Sequence, residues 1–153
     1  PDEAFAKHWM HNGMINVDGR KMSKSLGNFL TVEDLRDQAP GEVLRLAILS
    51  THYRGVLDWT AQKVAEAAET LRKWGERVAG VDGEPAPEVV EALADDLNTP
   101  KALAEMHRLA REGDVEALAG AMKLLNLKAP AAEDTRDLGI DDLLAARSEA
   151  RAN

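Results

Sequence analysis

Residues 14–28 read MINVDGRKMSKSLGN, and this stretch decides how the fold begins. Its first four residues form a β-prone run. Asp18-Gly19 follows as the strongest short hairpin signal, because both central residues of a type I′ turn take positive φ. A return strand and then a polar, glycine-containing loop come next. The sequence therefore predicts a β-hairpin that turns residues 21–25, KMSKS, outward as a mobile loop.

Helices are predicted for almost everything after Asn28. Thr31 has the signature of an N-cap with Asp34 as its acidic partner, at the start of a helix over 32–38. A helix over 41–50 follows, with Val43, Leu44, Ala47 and Ile48 on one face. Thr60 caps a long amphipathic helix to about residue 79. Further helices are predicted at 88–95, 101–111, 115–125 and 140–152, a helix end at 4–10, an irregular link at 51–59 and a linker at 131–139.

Composition limits the class of protein. The chain has 153 residues, of which 44% are hydrophobic and 30% charged, which is typical of one or two soluble globular domains. Aromatic residues are only 4%, which favours packed helices over a sheet sandwich. The absence of cysteine excludes disulfides and thiolate metal sites. The sequence contains no apolar run of about 18 residues, the length that would predict a membrane span. It also has no signal peptide, so the expected compartment is the cytoplasm.

Charge is distributed unevenly along the chain. The net charge of −8 argues against an obvious nucleic-acid binder, because phosphate contacts need Lys and Arg. Residues 20–24 nevertheless hold three cations and no anion, while acidic residues concentrate at 82–96 and 133–142. A basic face within an acidic protein is therefore expected.

The KMSKS segment carries the clearest chemistry. Lys21 and Lys24 place two ammonium groups three residues apart, Ser23 and Ser25 add hydroxyls, and Gly27 lets the backbone bend. Such a loop can close over a triphosphate and stabilise the charge that builds on the β- and γ-phosphates as pyrophosphate leaves. A solvated basic turn is the ordinary alternative, but five specified residues between a strand and a helix favour the functional interpretation.

Five stretches of the chain resemble cysteinyl-tRNA synthetase, and KMSKS is identical to the signature loop of class I aminoacyl-tRNA synthetases. The stretches follow that family's order and spacing, and the resemblance covers essentially the whole chain, although it is loose from residue 128 onward. They are residues 9–14 (WMHNGM), 17–29 (VDGRKMSKSLGNF), 42–45 (EVLR), 49–54 (LSTHYR) and 95–100 (DDLNTP).

The resemblance implies an ATP-dependent ligase. Cysteine and ATP, with Mg²⁺, would give cysteinyl-adenylate, and the cysteinyl group would then pass to tRNA(Cys). Lys21 and Lys24 would be catalytic and would contact the ATP phosphates. Ser23 and Ser25 would complete the ATP-binding loop, with Met22 anchoring it by packing. The adenine ring would lie near the backbone of residues 11–14, and the protein would be a monomer.

The resemblance also implies the architecture. The fold class is mainly α: a β-hairpin remnant of a Rossmann-type catalytic domain, then a helical connector and an antiparallel bundle of about four helices. The expected domains are residues 1–28 (the end of the catalytic domain, with the loop), 29–59 (a connector that contacts the tRNA stem), 60–128 (a tRNA-binding bundle) and 129–153 (a linker and the truncated start of an anticodon-binding module).

Other parts of such an enzyme are not found in the sequence. The His-containing first nucleotide signature is absent. The zinc site that recognises cysteine cannot be complete without a cysteine residue, and its His and Glu ligands would fall before Pro1. Zinc is thus expected of the whole enzyme, with no ligands in this chain. The chain by itself is therefore expected to be catalytically incomplete.

His52, Tyr53 and Arg54, in the irregular link, are the candidate tRNA contacts outside the loop. The alternative is a packing corner that contains a hydrogen-bonded tyrosine. Asp95-Asp96 resembles a carboxylate pair, but it is interpreted as a helix end before a Thr99 cap, because no partner is evident.

The remaining candidates are expected to be structural. Trp59 and Trp74 are predicted core residues, and His8 with His11 lacks the further ligands that a metal site needs. A possible cationic strip is expected to be a solvated helix face, and it consists of Arg72, Lys73 and Arg77.

Two other functions stay open at this point. One is a non-catalytic helical module that binds tRNA or a protein. The other is a related ligase that joins cysteine to an amino sugar and shares the loop. Residues 95–100 favour the synthetase over that relative.

Overall fold

In the computed structural model, which describes residues 5–129, the predicted hairpin is present. Strand β1 (Ile15–Val17) pairs antiparallel with β2 (Arg20–Lys21). The turn between them has positive φ at both central residues, 49° at Asp18 and 77° at Gly19. Glycine takes this conformation without steric cost and aspartate tolerates it, so the turn follows directly from the sequence.

A third strand corrects the prediction of an irregular link over 51–59. Strand β3 (Leu57–Trp59) runs parallel to β1, with Ile15 opposite Leu57 and Val17 opposite Trp59. The sheet order is β2-β1-β3. A parallel pair requires a long crossover connection, and two helices between the strands provide it. Three residues are too few to show the alternation by which a strand is recognised.

Six of the predicted helices are present within the described residues, with ends shifted by at most two residues. The predicted helix end at 4–10 is wrong over residues 5–10, which are not helical. Phe5 and Trp9 are 97% and 70% exposed, so a helix there would lack the packing that stabilises short helices. The helix expected at 140–152 and the linker at 131–139 lie outside the described residues. The helices are α1 (Val32–Arg36), α2 (Gly41–Leu49), α3 (Ala61–Arg77), α4 (Pro87–Ala94), α5 (Thr99–Glu112) and α6 (Val115–Leu124).

Polar caps set the starts of several helices. Thr31 Oγ1 accepts a hydrogen bond from Asp34 N at 3.1 Å, and Thr31 N donates to Asp34 Oδ2 at 2.8 Å. The predicted capping box is therefore confirmed. At α5 the cap is Asn98 rather than Thr99, since Asn98 Oδ1 accepts from Lys101 N at 3.2 Å. Thr99 is already helical, and Pro100 occupies a first-turn position where its missing N–H is tolerated.

One apolar cluster connects the sheet to the helices. Trp59 of β3 and Trp74 of α3 are both buried in it, as predicted, together with Leu71 and Met106. Helix α2 packs on α3, and α4 packs on α5. The predicted face of α2 needs one correction, because Ile48 is exposed and Leu46 is buried instead. Both residues lie at the margin of the apolar face, and the position of the neighbouring helix decides which of them is buried. Apolar periodicity in the sequence does not give that position.

Within residues 5–129, no helix has the length and apolarity that a membrane crossing requires.

Candidate functional site

The KMSKS segment forms a capped turn. Ser23 caps a short 3₁₀ turn (Lys24–Leu26), and its Oγ accepts a hydrogen bond from Leu26 N at 3.3 Å. Gly27 ends the turn with φ of 68°, and its N–H donates to the Lys24 carbonyl oxygen at 3.2 Å. The bend expected at Gly27 is therefore confirmed, and the turn has defined ends. The mobility of the segment stays a prediction.

Asn28 closes the base of this turn, a role that the sequence analysis missed. Its Oδ1 accepts from Ser23 N at 2.9 Å, and its Nδ2 donates to the Lys21 carbonyl oxygen at 3.3 Å. The side chain thereby holds the two ends of the KMSKS segment together. Asparagine often bonds to nearby backbone in this way, so its place just after Gly27 was the available signal.

The basic side chains of the turn point to solvent without acidic partners. Lys21 and Lys24 are exposed, and neither has a carboxylate partner within residues 5–129. Lys24 Nζ lies 5.5 Å from the centroid of the Phe29 ring, a cation–π contact. Ser23 Oγ and Ser25 Oγ lie 3.3 Å apart. Two cations that have no carboxylate partner in the described part of the chain, beside two hydroxyls, form a surface suited to a polyanion such as a chain of phosphates.

Large apolar side chains are exposed mainly in the first part of the chain. Among the described residues 5–129, thirteen large hydrophobic residues are exposed, and eight of them lie between residues 5 and 32, the region that contains the hairpin and the basic turn. Such a concentration is typical of a surface that packs against further protein. The eight are Phe5, Trp9, Met10, Met14, Ile15, Leu26, Phe29 and Val32.

A second polar group, which we call the Asp96 cluster, joins His52, Tyr53 and Arg54 to Asp96. Arg54 Nε donates to Asp96 Oδ2 at 2.8 Å and Arg54 Nη2 donates to Oδ1 at 3.2 Å, a bidentate pair. Tyr53 Oη donates to Asp96 Oδ1 at 2.5 Å. His52 Nε2 lies 3.1 Å from the Asp96 carbonyl oxygen, and the His52 and Tyr53 rings stack at 4.8 Å.

The Asp96 cluster changes the interpretation of these residues. The sequence predicts Asp96 as a helix end without a partner, yet residues 42 to 44 positions earlier in the chain contact it. Tyr53 is the hydrogen-bonded tyrosine of the alternative interpretation. Arg54 is exposed but ion-paired. Contact of His52, Tyr53 and Arg54 with tRNA stays a prediction.

The backbone around Asp96 is strained. Asp96 and Leu97 have φ of 53° and 52°, in the left-handed region. Aspartate tolerates this region, but for leucine the conformation costs on the order of 1–3 kcal/mol. Leu97 is 51% exposed, so burial of its own side chain does not explain the strain. The turn is held by Leu97 N donating to the Leu93 carbonyl oxygen and by the contacts of the Asp96 side chain.

Hydrogen bonds fix the protonation states of Asp96 and Tyr53. The hydrogen bonds that Arg54 donates to Asp96 and, to a smaller extent, the one from Tyr53 lower the pKa of Asp96 to about 2. The bond to the Asp96 carboxylate raises the pKa of the Tyr53 hydroxyl. At neutral pH Asp96 is therefore ionised and Tyr53 is neutral. Asp96 and Tyr53 are therefore suited to holding a geometry, because neither changes its protonation state near neutral pH.

The cluster is also connected to the hairpin. Gly13 N donates to the Tyr53 carbonyl oxygen at 2.7 Å. The two segments approach so closely that a Cβ at Gly13 would lie 1.8 Å from the Gly55 carbonyl oxygen. Further along, Gly19 N donates to Asp58 Oδ1 at 2.9 Å. The chain from the Asp96 cluster through β3 thus lies along the hairpin that carries the basic turn.

The other candidates were a metal site and a cationic strip. Residues 5–129 contain no group of three or more His, Asp or Glu side chains placed to hold a metal ion. On α3, Arg72 Nη1 lies 2.6 Å from Glu76 and Lys73 Nζ lies 3.2 Å from Glu69, so the suspected cationic strip is largely neutralised on its own helix.

Comparison with known proteins finds two family matches along the chain. Residues 1–69 match the family described as tRNA synthetases class I (C) catalytic domain, and residues 88–129 match the DALR domain. The chain is 54% identical to "Cysteine--tRNA ligase" of Ruegeria pomeroyi over 132 residues, and this match covers 84% of the chain and 28% of the relative. It is 54% identical to the protein of that name from Paracoccus denitrificans, over 91% of the chain and 29% of the relative. A third, from Rhodopseudomonas palustris, is 44% identical over 98% of the chain and 34% of the relative. The chain therefore spans about a third or less of the length of these relatives.

Proposed function

Because this chain belongs to the cysteine–tRNA ligase family, we propose that it supplies the ATP-phosphate loop and the tRNA-docking helices of such an enzyme. The observation that carries the proposal is the capped basic turn. Lys21 and Lys24 stand exposed and without carboxylate partners in the described part of the chain, beside the hydroxyls of Ser23 and Ser25.

The proposed chemistry is the activation of cysteine. The cysteine carboxylate attacks the α-phosphorus of ATP, and the bond between this phosphorus and the oxygen that bridges to the β-phosphate breaks. The products are cysteinyl-adenylate and pyrophosphate. Negative charge increases on the leaving pyrophosphate. The ammonium groups of Lys24 and Lys21 stabilise that charge, and the stabilisation is greatest in the transition state. Ser23 and Ser25 shape the turn that presents the lysines.

The second step transfers the cysteinyl group to tRNA(Cys) and releases AMP. We propose that residues 60–128 dock the tRNA body and that residues 29–59 connect them to the catalytic part. His52, Tyr53 and Arg54 would then have a role in the transfer of the cysteinyl group to tRNA. Residues 1–28 would close the catalytic domain, and residues 129–153 would lead into an anticodon-binding module. The eight exposed apolar residues between 5 and 32 support packing of this region against the rest of the catalytic domain.

The remaining partners follow from the same proposal. Mg²⁺ would arrive with ATP, since residues 5–129 offer no converging carboxylates or imidazoles for it. Zinc would be bound by other parts of the enzyme, because the chain contains no cysteine. We propose a monomer in the cytoplasm, a reducing compartment with which a cysteine-free chain is compatible.

The test is Lys24→Ala in a complete ligase that carries these residues. We expect cysteine-dependent exchange of pyrophosphate into ATP to slow by about 100-fold or more, with little change in the KM for cysteine, because one charge-stabilising donor is worth roughly that factor. Lys24→Arg keeps a cation and should recover part of the rate. Lys101→Ala, which removes an exposed lysine on α5, is the control. An exchange rate unaffected by Lys24→Ala would contradict the proposed role of the turn.

A further inference from the structure

The Asp96 cluster connects the two parts of the chain that match different domain families. His52, Tyr53 and Arg54 lie within the part that matches the class I catalytic domain. Asp96 lies in the turn between α4 and α5, within the part that matches the DALR domain. Its contacts therefore act between the proposed catalytic and tRNA-docking portions of the protein.

The geometry of the cluster is more specific than stability requires. The Arg54 and Asp96 side chains are 52% and 50% exposed, and exposed ion pairs contribute little to stability because water screens them. Even so, the backbone holds two successive residues in the left-handed region, including the exposed Leu97. Strain that is kept for a small gain in stability is typical of functional positions.

The contacts restrict direction as well as distance. The bidentate Arg54–Asp96 pair fixes the plane of the carboxylate, and the Tyr53 hydroxyl fixes it from a third position. The Tyr53 backbone is in turn bonded to Gly13, next to β1. A continuous set of short contacts thus runs from the start of α5 to the hairpin that carries Lys21 and Lys24.

We propose that Asp96 is a positioning residue that fixes the direction of α5 relative to the ATP-phosphate loop. A tRNA docked on the helices then presents its acceptor end to the adenylate. This inference rests on the proposed function and goes further, because it assigns the cluster to the transfer step rather than to activation. Loss of the contact lets the docking helices shift, and a misplacement of about 1 Å can cost on the order of 100-fold in rate.

The test compares the two steps in a complete ligase with Asp96→Asn. We expect the rate of cysteinyl transfer to tRNA(Cys) to fall at least about tenfold, while pyrophosphate exchange per active site stays within about twofold of the unaltered enzyme. Counting active sites by the burst of adenylate removes any effect of misfolded protein. Asp95→Asn is the matched control, since its carboxylate has no partner within residues 5–129, and it should change neither step.

A double-variant cycle separates positioning from direct contact with tRNA. If Arg54 acts through Asp96, Arg54→Gln should slow transfer about as much as Asp96→Asn, and the double variant should be no slower than either. If Arg54 binds tRNA itself, the double variant will be slower than Asp96→Asn alone, and the proposal is overturned. An equal loss of both steps per active site, or an unchanged transfer rate, would also overturn it.

These outcomes are separate from the test of the proposed function. If Lys24→Ala slows exchange but Asp96→Asn leaves transfer unchanged, the phosphate loop stands and the positioning role fails. If Lys24→Ala leaves exchange unchanged, the role of the loop fails, whatever the Asp96 variants show about transfer.

Discussion

At the scale of single residues, the candidate sites depend on side chains that hold backbone in place. Asn28 connects Ser23 to Lys21 across the basic turn. Asp96 receives Arg54 and Tyr53 while its own backbone is left-handed. Both residues are short and polar, and both act on groups they do not adjoin in sequence. The positions of the candidate site residues therefore depend on neighbouring side chains that take no part in the proposed reaction.

The ionisation of Asp96 gives a prediction about pH. Its pKa is lowered from 3.8 to about 2 in the folded protein, chiefly by Arg54, so the cluster stabilises the fold above pH 3.8. The stabilisation is lost as the pH falls from 3.8 through about 2, where the folded-state carboxylate is protonated.

The difference in Tm between the unaltered protein and Asp96→Asn should therefore shrink over that acid range. Thermal unfolding of both proteins across the range, followed by circular dichroism, measures it. The corresponding difference for Asp95→Asn should stay near zero at every pH. A pH-independent difference for Asp96→Asn would show that the carboxylate charge is not what the cluster uses.

At the scale of the elements, short helices depend on their ends. Helix α1 (Val32–Arg36) has five residues, which is too short to be stable alone in water. Its capping box satisfies backbone donors at the N-terminus, and hydrogen bonds from Thr31 lower the pKa of Asp34. The helix directly follows the basic turn, so its cap also fixes where that turn ends.

We expect Thr31→Ala to destabilise the protein by about 0.5–2 kcal/mol, the usual cost of losing an N-cap hydroxyl. The reason is that the Asp34 N–H loses its acceptor and the carboxylate of Asp34 loses one donor. Urea unfolding measures the change, and amide exchange at Leu35, which bonds to the Thr31 carbonyl oxygen, should become faster. Thr31→Ser keeps the hydroxyl and should stay close to the unaltered protein. Equal destabilisation by both substitutions would mean that the methyl group, rather than the cap, matters.

At the scale of the whole molecule, charge limits how the chain can bind nucleic acid. The net charge is −8, and several cations are already paired with carboxylates, as Arg54, Arg72 and Arg108 are. The excess of acidic over basic side chains, 27 against 19, also opposes contact with tRNA phosphates. Docking through the phosphate backbone also carries little sequence information.

We therefore expect the 153-residue chain to bind tRNA weakly, with Kd on the order of 10⁻⁴ to 10⁻⁶ M. Binding should weaken as salt rises, because counterions compete for the same phosphates. Titrations at two salt concentrations with cysteine tRNA and an unmatched tRNA measure both effects, and discrimination should be slight. Tight, salt-insensitive binding selective for cysteine tRNA would mean that these helices read the tRNA sequence.

The sequence by itself determined the hairpin turn, helices α1 to α6 and the identity of the basic turn. Each depends on signals that lie within a few residues of one another: Asp18-Gly19 for positive φ, Thr31 with Asp34 for a cap, and apolar spacing for α3. Local backbone preferences and helical periodicity are properties of adjacent residues, so they can be read without knowing the fold.

Only the tertiary structure decided the third strand, the buried face of α2 and the Asp96 cluster. Strand β3 exists because β1 offers it unpaired backbone groups, and Ile48 is exposed because of where its neighbours pack. Arg54 meets Asp96 across 42 residues because the helices between them fold back. Such contacts depend on the arrangement of whole elements in space, and sequence separation does not show which distant side chains will meet.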